Sequence, residues 1–287
     1  PNRPTAAKAP ASPAQKPLQK SSPPPAPRPA EPRLAKTTAP QPAKNLPPIP
    51  IRVAIATEAK TIALSTSDAG VVVDANGHVI GHLTAQAGIT VTPNATGLQV
   101  GSWSTPTVAW IKPAAADGLV YADGRWYRGA VQLVAQGDNL LAINHVDVES
   151  YLYSVVGAEM PASWSIEALK AQAIAARSYA VVHIARPAHD LYDLGATPRW
   201  QAYSGAETET NTTHAAVNAT RGMLLSYQGG VVESLYASSS QLVQEAHGGF
   251  GMSQEGANQL AQQQNFNYLQ ILEHFYPGTG LAVLNIQ

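Results

Sequence analysis

The chain has 287 residues, no cysteine and a formal net charge of −1 at pH 7. The absence of cysteine excludes disulfides, thiolate zinc sites and a cysteine nucleophile. No apolar run reaches the ~18 residues that a transmembrane helix needs, so we expect no membrane-spanning segment, and we expect no nucleic-acid partner.

Residues 1–50 differ in composition from the rest of the chain. They hold 16 of the 23 prolines, no aromatic residue, and eight Lys/Arg against a single acid, Glu31. Such a segment cannot bury enough apolar surface to offset the entropy of ordering, so we predict a disordered Pro/Ala-rich linker before one domain at 51–287. The linker is either a plain spacer or a basic segment that adheres weakly to anionic polymers of a cell envelope.

The first part of the domain, residues 51–144, has short β-prone runs cut by Gly, Asn, Asp and Pro. Asn76-Gly77 after Val71–Asp74 is a hairpin signal. This pattern predicts a mostly antiparallel, β-rich part. It contains no cluster of candidate catalytic groups.

The second part, residues 145–287, has helical patterns. An Ala-rich helix is predicted from Ser163 or Ser165 to about Ile184, and a second helix over 208–220. A hairpin at 223–227 and 231–237 follows, and then two C-terminal helices at 253–264 and 267–275. The chain as a whole is predicted to be α+β, with a β-rich N-terminal half, an Ala-rich central helix and C-terminal helices.

One carboxylate, Glu159, stands between an apolar stretch and the Ala-rich helix. Val155, Val156 and Met160 are its apolar neighbours, and Pro161 breaks the chain just after it. A carboxylic acid in apolar surroundings has a raised pKa, which a general acid needs near neutral pH. The alternative is a helix-entry Glu that caps backbone amides.

Four sequence blocks carry a resemblance to a known family. They are Y-L-Y-S-V-V-G-A-E-M-P with E-A-L-K-A-Q-A-I-A-A-R-S-Y-A (151–161 and 167–180), Y-D-L to Q-A-Y-S-G (192–205), G-M-L-L-S-Y-Q-G to Y-A-S-S-S (222–240), and G-M-S-Q-E-G-A (251–257). In this order they resemble the SpoIID/LytB family, which comprises stage II sporulation protein D and its amidase-enhancer relatives. The resemblance covers roughly residues 120–280.

The resemblance implies a peptidoglycan lytic transglycosylase that cuts glycan strands lacking stem peptides, with Glu159 as the catalytic acid. One carboxyl would protonate the glycosidic oxygen between N-acetylmuramic acid and N-acetylglucosamine, and then accept the proton of the muramic 6-hydroxyl as a 1,6-anhydro ring closes. No water is consumed, so no second carboxylate is needed. The alternative is a non-catalytic module that binds glycan or activates a cell-wall amidase.

The polar members of the matching blocks are candidate substrate-binding residues. They are Lys170, Gln172, Arg177, Gln201, Tyr203, Ser238, Ser240 and Gln254. For Arg177, an ion pair with an acid such as Glu207 or Glu233 is an equal alternative, and each hydroxyl or amide could instead satisfy a buried backbone group.

Zinc and cofactors are not expected. Some family members bind zinc through Cys and His, at positions that are Gly195, Arg199 and Trp200 in this chain, although His183 and His189 lie nearby.

A second departure from the family is the short connection between Ser240 and His247. The resemblance also implies peptidoglycan as the partner and an extracytoplasmic location in the cell envelope.

Overall fold

The computed structural model describes residues 40–285. Most of the predicted linker, residues 1–39, lies outside the described residues. Within residues 40–285, no helix is both long and apolar enough to cross a membrane.

The first half of the domain consists of strands joined by short turns. They are β1 (Pro50–Ala59), β2 (Ile62–Thr66), β3 (Gly70–Asp74), β4 (Val79–Leu83), β5 (Ile89–Asn94), β6 (Gly97–Val100), β7 (Trp103–Thr105), β8 (Val108–Pro113), β9 (Leu119–Ala122), β10 (Arg125–Arg128), β11 (Ala130–Gln136) and β12 (Asn139–Asp147). The predicted hairpin is confirmed, since β3 and β4 pair antiparallel around Gly77, whose φ of 86° suits glycine.

The second half carries the helices and several very short strands. They are α1 (Val148–Glu159), α2 (Ile166–Ala185), β13 (Leu194–Gly195), α3 (Asn211–Ala219), β14 (Met223–Tyr227), β15 (Gly230–Val231), β16 (Tyr236–Ala237), α4 (Ser240–His247), β17 (Met252–Ser253), α5 (Gln254–Gln264), α6 (Tyr268–Phe275) and β18 (Gly280–Val283). The predicted α+β class is confirmed.

Two large sheets share one hydrophobic core. The first has the strand order β13-β1-β12-β11-β8-β3-β4, and the second has the order β10-β9-β2-β5-β6-β7. Ile111 and Leu133 of the first sheet and Leu64 and Leu98 of the second are fully or almost fully buried in the same cluster. Apart from β13, which runs parallel to β1, the pairings in these sheets are antiparallel, as the sequence predicts.

The Ala-rich helix α2 lies at the centre of the second half and packs against α1, α3, α5, α6 and β14. Six of its alanines are fully buried: Ala168, Ala171, Ala173, Ala175, Ala176 and Ala180. Neighbouring side chains reach the backbone of the helix. Ser234 Oγ donates to the Ala175 carbonyl at 2.7 Å, and Gln201 Nε2 donates to the Ala176 carbonyl at 3.1 Å. The predicted helix is confirmed, with Ser165 as its N-cap.

The second half differs from the sequence prediction in two respects. First, the sequence did not predict the helices α1 and α4. Second, the predicted hairpin after Gly230 is real only for the two residues of β15, because Tyr236 and Ala237 pair in parallel with Met252 and Ser253 instead. This pairing brings the start of α5 next to β16.

The domain also begins earlier than residue 51. Leu46, assigned to the linker from composition, is only 8% exposed, and the Ala43 amide donates to the Arg221 carbonyl at 3.0 Å. The Ile49 amide donates to Asp147 Oδ1 at 2.9 Å. Residues 40–49 therefore form an arm that packs on the domain, which a Pro-rich composition does not reveal.

Candidate active site

The candidate acid, Glu159, is the last residue of α1. Pro161 disfavours helical backbone at the residue before it, and Met160 is accordingly extended, with φ −132° and ψ 139°. The start of the helix is capped by Asp147, whose carboxylate accepts the Ser150 amide. The alternative of a helix-entry Glu is therefore wrong. Glu159 leaves a helix C-terminus, where the helix dipole disfavours a negative charge.

Both oxygens of the Glu159 carboxyl group accept hydrogen bonds from uncharged donors. Oε1 accepts the Ala202 backbone amide at 2.8 Å, and Oε2 accepts Nε2 of Gln254 at 3.1 Å. The side chain is half-buried, and Met160 beside it is 1% exposed. Within residues 40–285, no basic side chain forms an ion pair with Glu159.

Burial raises the pKa of Glu159, because desolvation disfavours the carboxylate. The hydrogen bonds from Ala202 and Gln254 oppose this shift, since each stabilises the charged form. The net direction is upward, which keeps the group protonated to higher pH than an exposed glutamate. The arrangement can therefore donate a proton and then hold the resulting carboxylate with two donors.

A buried hydrogen-bond network supports this site. The Tyr151 hydroxyl donates to Oε1 of Gln201 at 3.0 Å, and Nε2 of Gln201 donates to the Tyr236 hydroxyl at 2.8 Å and to the Ala176 carbonyl. Gln201 is fully buried and directly precedes Ala202, so the network fixes the backbone amide that Glu159 accepts.

The two tyrosines of this network were not among the predicted site residues. Burial raises the pKa of Tyr151 and of Tyr236 well above the usual range. The charge of neighbouring groups, which include Glu159, adds to both pKa shifts. Both remain neutral hydroxyl donors. Among the described residues, the O–H proton of Tyr236 has no acceptor. Tyr236 opens the Y-x-S-x-S block, which was a signal available in the sequence.

Gln254 reaches Glu159 because α5 begins directly after β17. Ser253 caps α5 by accepting the Gly256 amide at 3.0 Å, and the Glu255 amide donates to the Ser238 carbonyl at 3.0 Å. The short connection after Ser240 forms α4 and leaves this pairing intact. Gln254 is 2% exposed, so it acts on Glu159 instead of presenting an open amide to solvent.

Arg177, predicted as a substrate contact or a partner of Glu207 or Glu233, has a different role. It is fully buried and pairs with Glu149, with Nε to Oε1 and Nη2 to Oε2 both at 2.8 Å. Glu149 Oε1 also accepts the Gly222 amide at 3.1 Å. The predicted contact with substrate is therefore wrong, because the guanidinium is enclosed between α1, α3 and β14.

Lys170 and Gln172 are also engaged or enclosed elsewhere. Lys170 Nζ bonds Glu167 Oε1 at 2.7 Å and lies 5.7 Å from the centre of the Tyr268 ring. Gln172 is fully buried, and neither of its amide atoms has a hydrogen-bond partner among the described residues. It faces the same side of α2 as Ala176, one turn away. Gln172 is therefore closed to substrate, whereas Lys170 is partly exposed and bonded to Glu167.

The hydroxyl-bearing candidates divide into a buried and an exposed set. Tyr203 is 2% exposed, its hydroxyl donates to Asn144 Oδ1 at 2.7 Å, and its ring packs between Tyr127 and Tyr151. It is a core residue, which corrects the prediction of substrate contact. Ser238 and Ser240 are exposed, beside the α5 start.

The positions that correspond to zinc ligands in some relatives do not fit a metal. A Cβ on Gly195 would lie 2.9 Å from Cδ1 of Trp200, so the indole ring fills the space beside it. His183 packs edge-on against the same ring at 5.3 Å. Within residues 40–285, no group of three or more His, Cys, Asp or Glu side chains is placed to hold a metal ion.

A comparison with known families matches one segment of the chain. Residues 136–227 match the model of the SpoIID family, described as stage II sporulation protein. This segment contains Glu159, Glu149, Arg177 and Gln201, whereas Gln254 lies after it.

Three curated relatives each match part of the chain. An uncharacterized protein of Brachyspira hyodysenteriae is 34% identical over 116 residues, which is 40% of this chain and 32% of the relative. The amidase enhancer of Bacillus subtilis is 40% identical over 89 residues, 31% of this chain and 12% of the relative. Stage II sporulation protein D of B. subtilis is 31% identical over 116 residues, 34% of this chain and 33% of the relative. The matches span a third or less of the length of each relative.

Proposed function

We propose that this chain, whose residues 136–227 match the SpoIID family, cleaves peptidoglycan glycan strands as a lytic transglycosylase, with Glu159 as acid and then base. One observation carries the proposal. A half-buried carboxyl group with a raised pKa lies at the end of α1, with each oxygen held by an uncharged donor. Such a group keeps its proton to higher pH than an exposed glutamate does, and two donors stabilise the carboxylate after it has lost its proton.

The chemistry asks for one carboxyl group in two successive roles. Glu159 protonates the glycosidic oxygen between N-acetylmuramic acid and N-acetylglucosamine. The carboxylate then accepts the proton of the muramic 6-hydroxyl, whose oxygen attacks C1 and closes the 1,6-anhydro ring. The amides of Ala202 and Gln254 stabilise the carboxylate between these steps.

The surrounding carboxylates support a route without water activation. Glu149 is enclosed in its pair with Arg177. Glu167 accepts Lys170 Nζ on one oxygen and the Tyr268 amide, at 2.9 Å, on the other. Hydrolytic glycosidases need a second carboxylate placed across the scissile bond, and these two acids are committed to structural contacts.

The test is digestion of stem-free glycan strands in water labelled with oxygen-18, followed by mass analysis. We expect 1,6-anhydromuramic ends without the label. Glu159→Gln should reduce turnover by several orders of magnitude, because the new amide cannot donate an acidic proton. The fold should be retained, because the new side-chain oxygen can still accept the Ala202 amide and Gln254 can rotate its amide so that its oxygen accepts the new NH2 group. The matched control is Glu255→Gln, an exposed acid at the start of α5, which should keep wild-type turnover.

A second candidate function is a glycan-binding module that activates a cell-wall amidase. The 40% identity to the amidase enhancer of B. subtilis favours it. The same digestion distinguishes the transglycosylase from the glycan-binding module. Wild-type protein that binds strands without cutting them, and that raises the rate of an added amidase, would support the module. Either function requires peptidoglycan as the partner and an extracytoplasmic location.

A further inference from the structure

Phe250 is the most exposed large hydrophobic side chain of the described residues, with 80% of its surface open to solvent. It lies in the turn between α4 and β17. An exposed aromatic face is a surface on which the apolar face of a ligand can stack.

The backbone around Phe250 is fixed by glycines and hydrogen bonds. Gly249 and Gly251 have φ values of 88° and 135°, and a Cβ on Gly251 would lie 2.6 Å from the Leu235 carbonyl oxygen. The Phe250 amide donates to the His247 carbonyl at 3.1 Å. Because only glycine adopts these conformations without strain, the ring projects from a defined position.

The same segment leads directly into the candidate active site. Met252 pairs with Tyr236 in the two-stranded sheet, and Gln254 bonds the Glu159 carboxyl group. Four residue steps span at most about 14 Å, so Phe250 lies within a short distance of Gln254 along one continuous strand-like segment. The ring therefore lies within a few sugar lengths of the Glu159 carboxyl group.

The segment around the ring, residues 238–256, is polar and contains no Lys or Arg. The Oε1 atom of Gln244 lies 2.8 Å from the place of a Cβ on Gly249, and this exposed amide has no hydrogen-bond partner among the described residues. The exposed polar residues of this segment include Ser238, Ser240 and Gln241, and the segment has two acids, Glu245 and Glu255. An aromatic face flanked by amides and hydroxyls suits a sugar ring, which has apolar C–H faces and a hydroxyl edge.

We propose that Phe250 and Gln244 form a sugar-binding subsite, in which the ring stacks on one pyranose of the glycan strand and the amide bonds its hydroxyls. This inference rests on the proposed function and adds a specificity-determining position to it. The subsite holds a sugar away from the bond that Glu159 attacks. It therefore contributes binding that is equal in the ground state and the transition state.

The experiment measures binding and turnover separately in the full chain. Stem-free glycan oligosaccharides are titrated into Glu159→Gln protein with and without Phe250→Ala, and KM and kcat are measured in the active background. We expect Phe250→Ala to weaken binding and raise KM by about fivefold to tenfold, with kcat nearly unchanged. Phe250→Trp should restore binding and report it through a change in indole fluorescence, and Gln244→Ala should weaken binding to a smaller degree.

Tyr227→Ala is the matched control, since Tyr227 is an exposed aromatic residue on β14, 57% exposed. It should leave Kd and KM unchanged. Unaltered Kd and KM in Phe250→Ala, with a wild-type protein that binds and cleaves, would overturn the subsite and leave the proposed function standing. Weaker binding of an amidase by Phe250→Ala, with unaltered glycan binding, would also overturn it. A wild-type protein that neither binds nor cleaves glycan would overturn both.

Discussion

Gln254 and Glu159 are 95 positions apart in the chain, yet Nε2 of one lies 3.1 Å from Oε2 of the other. The contact joins the start of α5 to the end of α1. It stabilises the charged form of a carboxyl group whose pKa burial raises. The proton affinity of the candidate acid is therefore set by two opposing influences that come from different parts of the fold.

Gln254→Met should move the pH dependence of turnover. Removing the hydrogen bond removes an influence that lowers the pKa of Glu159, so the pKa rises further. The acid then stays protonated to higher pH, and the alkaline limb of the kcat/KM profile should shift upward, with a lower maximum because the carboxylate is held less well. Gln259→Met, on an exposed position of α5, is the control and should leave the limb in place. A limb that moves down would contradict this account.

The stability of the wild type relative to Glu159→Gln should depend on pH. Because the folded pKa of Glu159 is raised, folded protein binds its proton more tightly than unfolded protein does. This contribution is fully present below the ordinary pKa of a glutamate carboxyl group and is lost as the pH rises through the raised value. Urea unfolding of both proteins over this range should show the wild type losing stability relative to the variant. A difference that grows in the opposite direction would mean that the folded pKa is lowered.

Arg177→Met should destabilise the fold by about 3–5 kcal/mol, because it leaves the buried Glu149 carboxylate without its partner. The double variant Glu149→Leu with Arg177→Met should recover much of this loss, since neither charge then remains buried. Urea unfolding provides the measurement. A single variant with wild-type stability but a raised KM would instead return Arg177 to the role of a substrate contact.

Truncation should reveal where the domain begins. Removal of residues 1–39 takes away none of the described contacts and should leave the thermal midpoint unchanged. Removal of residues 1–49 takes away the burial of Leu46 and the hydrogen bonds of Ile49 to Asp147 and Val148, so the midpoint should fall by several degrees. Equal midpoints for the two truncated proteins would show that the arm contributes little.

The local chemistry of the site could be predicted from the sequence, whereas its long-range partners could not. Pro161 and the apolar neighbours of Glu159 indicate a carboxyl group in apolar surroundings. The alanines of α2 indicate a helix that neighbouring elements can approach closely. The helix α1 was missed because its start, at Asp147, follows a β-strand with no break in the apolar pattern.

The roles of the polar residues depend on burial, which a single sequence does not reveal. Arg177 and Gln201 stand in the same blocks as residues near the surface, but they are enclosed by elements that come both earlier and later in the chain. The contact of Gln254 with Glu159 likewise depends on the parallel pairing of β16 with β17, two strands of two residues each, whose short length leaves no periodic signal.

The helix α1 connects two acids with different environments. Glu149 is buried in an ion pair, whereas Glu159 is half-buried and bonded to uncharged donors. Glu149 is anchored at the first turn of α1 and Glu159 stands at its last residue, about 15 Å further along the axis. The buried ion pair of Glu149 with Arg177 fixes the start of α1. The number of residues between Glu149 and Glu159 then sets the position of the Glu159 carboxyl group. One extra residue between them would swing Glu159 by about 100° around the axis, away from Ala202 and Gln254, without changing the chemical identity of any group at the site. Natural variation in this segment should therefore replace outward-facing side chains freely while keeping its length constant.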